Sequence, residues 1–194
     1  MIYFSADLHF WHNKVREYCT NRPGKHVEEM NEILIQNWNS TITKEDEVYF
    51  LGDFSITSKR GLLEPILYQL NRKRLYWIKG NHDRFVKKEW VKPHYEWAKD
   101  YYQLKVEDKD SLNGKSQLLI LCHYPLLTWN HAQHGSIMLH GHCHSNLTYL
   151  NKDTRRFDVG VDNPICNYKP ISYEQIKQVM KNSKYKPIDH HGKR

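Results

Sequence analysis

Five short runs of β-branched and aromatic residues, "IYFSADLH", "EVYFLGDF", "RLYWIKGNHD", "SQLLILCHYP" and "SIMLHGHCH", each end in a cluster of carboxylate, amide or imidazole side chains. This recurrence constrains the fold more than any other feature. Runs of this length and type read as strands, and ligands of open α/β sheets collect beyond the carboxyl ends of strands, so all the clusters can converge in one place. Between the first three runs the periodicity turns helical. In "HVEEMNEILIQNWN" Val27, Met30, Ile33, Leu34 and Trp38 recur at three-and-four spacing, and "LLEPILYQLN" places Leu62, Ile66, Leu67 and Leu70 the same way. Strand, helix, strand, helix, strand predicts right-handed crossovers and a largely parallel sheet in the first half.

From about Trp97 to Gly160 the strands follow one another through short turns, "DSLNGK" at 110–115 and "LNKDTRR" at 150–156, without a long helix. This predicts an antiparallel-rich second sheet. A last helix is expected in "SYEQIKQVMKNS", with Ser172 as N-cap and Gln175 as its capping-box partner. Two sheets flanked by helices would then face each other. The 194 residues suffice for one substantial core, so residues 1–183 are read as a single domain and 184–194, with His190 and His191, as a frayed tail facing solvent.

The balance of 39 % hydrophobic and 26 % charged residues excludes a disordered chain. No apolar run reaches the roughly 18 to 20 residues that span a bilayer, and Asp7 comes too early for a signal peptide, so no membrane partner and a cytoplasmic location are expected. Four scattered cysteines without C-x-x-C spacing exclude a disulfide framework and a Cys-rich zinc finger. A net charge of +7 would draw anions such as phosphate esters or nucleic acid. The basic residues nevertheless come as short clusters, "NRKR" at 71–74 and "KK" at 87–88, which read equally well as solvated surface.

Asp7 and His9 follow the first run, Asp53 the second, Asn81 and His82 the third, His123 the fourth, and His142 and His144 the fifth. Two carboxylates, an amide oxygen and four imidazoles make a mixed nitrogen and oxygen set, suited to Mn, Fe, Ni or Zn rather than to calcium. Seven donors exceed one tetrahedral ion. They suit two ions that share a carboxylate and keep positions open for water and substrate, the arrangement that clamps an in-line displacement at phosphorus. In "GHCH" a closed zinc knuckle would need Cys143 as thiolate and a second Cys or His pair nearby, which is absent. On an extended segment His142 and His144 would project to one side and Cys143 away from it. Histidines 12, 26, 94, 131 and 134 read as hydrogen-bonded surface residues, and Asp158 and Asp162 in "RFDVGVD" as turn residues. Asp83 either orients an imidazole or caps the next segment of chain. Gly52, Gly80 and Gly141 each precede a candidate ligand, as sharp turns or as ordinary ones.

The order "DLH", "GDF", "GNHD", "CHYP", "GHCH" resembles the five-block signature of the calcineurin-like metallophosphoesterase superfamily, D-x-H, G-D, G-N-H-D/E, H and G-H-x-H, over residues 7–144. The resemblance implies an α/β fold, a four-layer α/β/β/α sandwich of two mixed sheets, with a dinuclear metal centre at their upper edge. Carried over by position, Asp7, His9 and His144 would hold one divalent ion, Asn81, His123 and His142 the other, and Asp53 would bridge both. Manganese is the first expectation, with iron, nickel or zinc as alternatives. His82 would contact the substrate phosphate, stabilising the transition state or protonating the leaving oxygen, while a hydroxide bridging the ions attacks in line. Small bacterial and phage members carry "HFGHKN" where this chain reads "HFWHNK", which implies phosphate contacts from His12 and Asn13, with Trp11 in the place of a glycine.

The serine/threonine phosphatase extensions G-D-x-V-D-R-G and G-N-H-E are not matched by "GDFSITS" and "GNHDR". The implied activity is therefore metal-dependent hydrolysis of a phosphate ester, in particular a small phosphodiester or nucleotide-like substrate. Two other readings compete. One is a scaffold that kept the fold and lost catalysis, as the retromer subunit of this superfamily is thought to be. The other is a nuclease or nucleic-acid binder that uses Trp90, Trp97, Tyr101, Tyr102 and Trp129 as stacking surfaces.

Overall fold

A computed structural model describes residues 1–111, 114–147, 154–181 and 183. The expected tail at 184–194, part of the 110–115 turn and most of the 150–156 turn lie outside the described residues.

All five expected strands form. In the first sheet β1 (Ile2–Ser5), β2 (Glu47–Phe50), β3 (Arg74–Ile78) and β4 (Trp97–Lys99) run parallel, and β9 (Ile171–Ser172) adds antiparallel to β1, giving the order β4-β3-β2-β1-β9. The second sheet has the order β5-β6-β7-β8, built from β5 (Tyr101–Glu107), β6 (Ser116–Cys122), β7 (Ile137–His140) and β8 (Arg156–Asp158). Here the antiparallel expectation fails. Among its described strands only β5 and β6 form an antiparallel pair, whereas β6–β7 and β7–β8 are parallel. The cue for antiparallel strands is the lack of a long helix, but a parallel crossover needs length rather than a helix. The segment 123–136 provides it as loop plus the 3-10 turn Ala132–His134.

Among the described residues three helices form besides the single-turn α1 (Val15–Tyr18): α2 (Val27–Thr41), α3 (Arg60–Gln69) and α4 (Tyr173–Met180). α2 buries Met30, Leu34 and Trp38 as its spacing predicts, together with Asn31, while Ile33 stays half-buried. In α3 the buried stripe is Leu63, Ile66, Leu67 and Leu70, so Leu63 takes the place expected for Leu62. Three-and-four spacing fits either leucine as the first member, and the sheet selects the one whose phase faces it. α4 carries the expected capping box: Ser172 Oγ accepts from the Gln175 N–H at 3.2 Å and Gln175 Oε1 accepts from the Ser172 N–H at 2.9 Å.

Strand alternation divides the apolar residues into layers. Val48, Phe50, Leu75 and Trp77 face α2 and α3 in one core. Phe4, Tyr49, Leu51 and Ile78 face Leu104, Leu119, Leu121 and Leu139 in a second core between the sheets, whose edge α4 closes with Tyr173, Ile176 and Met180. On the outer face of the second sheet Trp129 and Ala132, from the crossover, cover Ile120 and Met138. The two mixed sheets thus stack as the resemblance implied. Tyr49 and Tyr76 stack at 4.5 Å and Trp97 meets Tyr102 at 4.5 Å inside this packing, so these rings are sheet filling rather than an open platform. No described helix is long and apolar enough to cross a membrane.

Candidate metal centre

The loops leaving β1 and β2 are zipped together by their main chains. The N–H groups of Asp7, His9 and Phe10 donate to the carbonyls of Gly52, Asp53 and Phe54 at 2.9, 3.0 and 2.8 Å. Along them Asp7, His9, Trp11 and Asp53 all take left-handed backbone with φ of 58°, 50°, 61° and 59°, a conformation that L-residues adopt only under constraint and that clusters at functional sites. Asp83 supplies part of that constraint. Its buried carboxylate accepts from the N–H groups of Gly80, Phe54 and Asp53 at 2.8, 2.9 and 3.0 Å and from Trp77 Nε1 at 3.0 Å. It therefore neither orients His82 nor caps a helix; it ties the second and third loops to each other. Burial pushes its carboxyl above the usual range, and the bonds from Gly80, Trp77 and Phe54 work against that. Asp83→Ala would leave four buried donors unpaired, so we expect a stability loss of ~3 kcal/mol or more by denaturant titration. A variant as stable as the parent would contradict this role.

The glycines clear space for carboxylates. A Cβ on Gly80 would strike the Asp53 carboxylate, and one on Gly141 would lie 2.6 Å from Asp7 Oδ2. Main-chain donors then fix both acids: the His82 N–H donates to Asp53 Oδ1 at 2.9 Å and the His142 N–H to Asp7 Oδ2 at 2.9 Å.

Around these acids the imidazoles form two groups. Asp7, His9 and His144 each bring one donor atom within 4.8 Å of the others, as do Asp53, His123 and His142. Asp53 also belongs with His9 and His82, so it stands between the groups. His9 Nε2 is buried without a hydrogen-bond partner, 3.7 Å from Asp53 Oδ2 and 4.0 Å from Asp7 Oδ1. His123 Nε2 lies 3.4 Å from Asp53 Oδ2 and 3.2 Å from Asn81 Oδ1. The other nitrogen of His123 faces the Leu51 carbonyl at 2.7 Å, which can only accept, so Nδ1 carries a proton there.

The "GHCH" loop departs from expectation. It is no extended segment: His142, His144 and Ser145 have φ of 70°, 46° and 66°. Left-handed turns, not strand alternation, send His142 to His123 at 5.1 Å between ring centroids and His144 to His9 at 5.0 Å. Cys143 belongs to neither donor group, and burial pushes its thiol up to about 11.

Charge inside the cluster is strongly redistributed. Burial pushes the Asp7 carboxyl up to about 7, against the pull of His144 and His123. Burial acts the same way on Asp53, yet its bonds to His123 and to the His82 N–H hold it down to about 2. His123 rises to about 9 although burial opposes it, because Asp53 and Asp7 face it. His144 likewise rises to about 10 against burial, through Asp162. Burial and Arg22 drive His9 well below the ordinary imidazole value. Buried acids and bases that hold protons among themselves, with one nitrogen left bare, fit divalent cations that would take the protons' place.

Of the two implied phosphate contacts, His12 joins the cluster. Its Nδ1 is 3.2 Å from His9 Nδ1 and its ring 6.1 Å from that of His82, which overturns its reading as a surface residue. Trp11 makes this possible. It adopts the glycine-like φ because Asn31 Oδ1 accepts from its N–H and the Leu62 carbonyl accepts from its Nε1, both at 3.2 Å. Asn13 stays exposed before α1, and among the described residues no hydrogen bond ties its side chain to the cluster. His94 is also buried rather than at the surface, against Arg72 and Tyr68, and His26 caps α2. His131 and His134 are exposed, as expected.

Two important residues carry no signal in the sequence. Asp162, expected in a turn, accepts from His144 Nδ1 at 2.6 Å, and Arg22 pairs with it through Nη2 at 2.6 Å. Nothing local marks either, since 140 residues separate the pair. Asp158 does serve turns, accepting from the N–H groups of Ser145 and Gly160 at 3.0 and 2.8 Å.

Comparison with known proteins agrees with this geometry. A family model described as calcineurin-like phosphoesterase matches residues 1–192. A protein of Methanocaldococcus jannaschii described only as uncharacterized is 33 % identical, with 94 % of this chain and 93 % of that one covered. The Gene 66 protein of Mycobacterium phage D29 is 30 % identical over 83 % of this chain and 87 % of its own. Among solved structures, a protein of unknown function from Aquifex aeolicus superposes with a TM-score of 0.67 at 26 % identity, covering 92 % of this chain and 98 % of that one.

Proposed function

Since the chain belongs to the calcineurin-like phosphoesterase family, which acts on phosphate esters with divalent metals, we propose that it is a dinuclear phosphoesterase for a small phosphodiester or nucleotide-like substrate. The observation that carries this reading is the pair of donor groups meeting at Asp53, with His9 Nε2 buried and bare between two carboxylates. Asp7, His9, His144 and Asp53 would hold one ion, and Asp53, Asn81, His123 and His142 the other, manganese being the first candidate. When bound, such ions activate a water and neutralise phosphoryl oxygens.

The chain's own residues do the rest. His82 is one-third exposed on the open side, with Nε2 3.9 Å from Asp53 Oδ2, where an imidazole can stabilise charge on a phosphoryl oxygen or give its proton to the leaving oxygen. His12, whose ring lies 6.1 Å from that of His82, offers a second donor on the same side. Leu51 and Asp162 hold the Nδ1 protons of His123 and His144, so both rings turn Nε2 inward.

Chelator-stripped protein resupplied with Mn²⁺ should hydrolyse bis(p-nitrophenyl) phosphate or p-nitrophenyl phosphate, or a member of a nucleotide panel, and the stripped protein should not. A folded sample that takes up two ions and cleaves none of these would instead favour the scaffold.

The same site makes a pH prediction. Without metal, His123 and His144 keep their protons up to about 9 and about 10 and Asp7 up to about 7, so at neutral pH an incoming ion must expel them. Apparent Mn²⁺ affinity should therefore rise with pH through the neutral range and on towards about 10, by up to about tenfold per unit for each proton expelled. Calorimetric titration in two buffers of different ionisation enthalpy would count the protons released. An affinity flat in pH would refute the assignment.

A further inference from the structure

Arg22 lies between α1 and α2, outside every block of the centre and 15 residues past Asp7, yet its side chain is completely buried. Its fork is fully engaged. Nη1 donates to the Leu8 carbonyl at 2.9 Å and Nη2 to the Asp7 carbonyl at 2.6 Å, while Nε and Nη2 clasp the two oxygens of Asp162 at 2.8 and 2.6 Å. Asp162 Oδ2 in turn accepts from His144 Nδ1 at 2.6 Å. One guanidinium thus grips the main chain between Asp7 and His9 and, through one carboxylate, the ring of His144.

These are the members of a single donor group. Of the other group, His123 is anchored on the Leu51 carbonyl and the shared Asp53 on the His82 N–H, and only the main chain of His142, not its ring, bonds to Asp7.

Resting on the dinuclear reading above, we propose that Arg22 and Asp162 are positioning residues that set the affinity of the Asp7–His9–His144 side alone. Desolvating an ion pair costs several kcal/mol, so a buried pair is a poor device for stability by itself, whereas it can hold two distant chain segments in one geometry. A lysine lacks the planar fork needed to serve two carbonyls and a carboxylate at once. The carboxylate also holds the proton on His144 Nδ1, which directs Nε2 inward and strengthens it as a donor, the usual service of an acid behind a metal-binding histidine.

Co²⁺ titration of the full chain, followed by visible absorption and calorimetry, tests this. Wild type should take up two ions; if it does not, the dinuclear reading fails and this inference with it. If it does, folded Asp162→Asn should lose ~10- to 100-fold in affinity at one site and stay within about threefold at the other. A merely structural role would weaken both sites alike or lower the melting temperature without separating them. Two sites of wild-type affinity in the variant would overturn the proposal.

A second measurement needs no variant. In ¹⁵N-histidine spectra of wild type loaded with Zn²⁺, one imidazole on the metal should keep a downfield, exchange-protected Nδ1–H bonded to a carboxylate. If no metal-bound imidazole keeps such a proton, the Asp162 role is refuted even should Asp162→Asn not fold.

Discussion

Asp53→Ala should give a folded protein that holds neither ion and hydrolyses no ester. On the proposed reading this carboxylate would serve both ions: its Oδ2 lies 3.4 Å from His123, 3.7 Å from His9 and 3.9 Å from His82. Its removal would then take a ligand from two sites at once, leaving the imidazoles of His9 and His123 with Asp7 as their neighbouring carboxylate. Metal affinity on both sides should fall by about a thousandfold or more, equivalent to ~4 kcal/mol, with turnover falling at least as far. The fold should survive, because the histidines can shed protons and Asp83, rather than Asp53, ties the loops. Elemental analysis after gel filtration, paired with circular dichroism, gives the answer. Wild-type metal content, or loss from one side only, would remove Asp53 from the bridging position.

His82→Ala should separate metal from turnover. What the architecture takes from this residue is its main-chain N–H, which fixes Asp53 Oδ1 at 2.9 Å and survives the substitution. What the proposed chemistry would take is the imidazole, one-third exposed. Metal content should stay at the wild-type level while kcat drops ~10²- to 10⁴-fold, the range for losing a positioned proton donor or a charge-stabilising group. If His82 protonates the leaving oxygen, alkyl esters should suffer more than p-nitrophenyl esters, whose leaving group needs no proton. Equal loss across leaving groups would assign the residue to charge stabilisation only, and an unchanged kcat would remove it from the mechanism.

What could be read from the sequence was what is local. The blocks at the strand ends stand out because a strand, its terminal turn and its ligand occupy a few consecutive residues, and Ser172 with Gln175 predicts a helix start for the same reason. Periodicity puts Leu62 in the α3 stripe where the structure buries Leu63, since it defines a stripe only to within a residue until a sheet selects one side. The parallel pairing of β6, β7 and β8 was hidden because its first crossover is loop, and loop carries no periodicity. Left-handed backbone at His142, His144 and Trp11 leaves no trace in residue type, because none is glycine or asparagine and the conformation is imposed by neighbours. Arg22 and Asp162 were invisible for the plainest reason: a contact across 140 residues has no local signature.

The two acids of the centre are held by amide hydrogens of the backbone, Asp53 by that of His82 and Asp7 by that of His142. At 82 any residue except proline supplies the same hydrogen, and at 142 any that tolerates the left-handed backbone there. The identity of the side chains at 82 and 142 is thereby uncoupled from the placement of the carboxylates, so the frame can remain while those two positions vary. A set of aspartate, asparagine and glutamine replacements at 142 would change the softness of the donors offered to an ion without moving the acid across from it. The protein is, in that respect, a socket whose fittings can be exchanged one at a time, and metal preference is a property that selection could adjust there without rebuilding the fold.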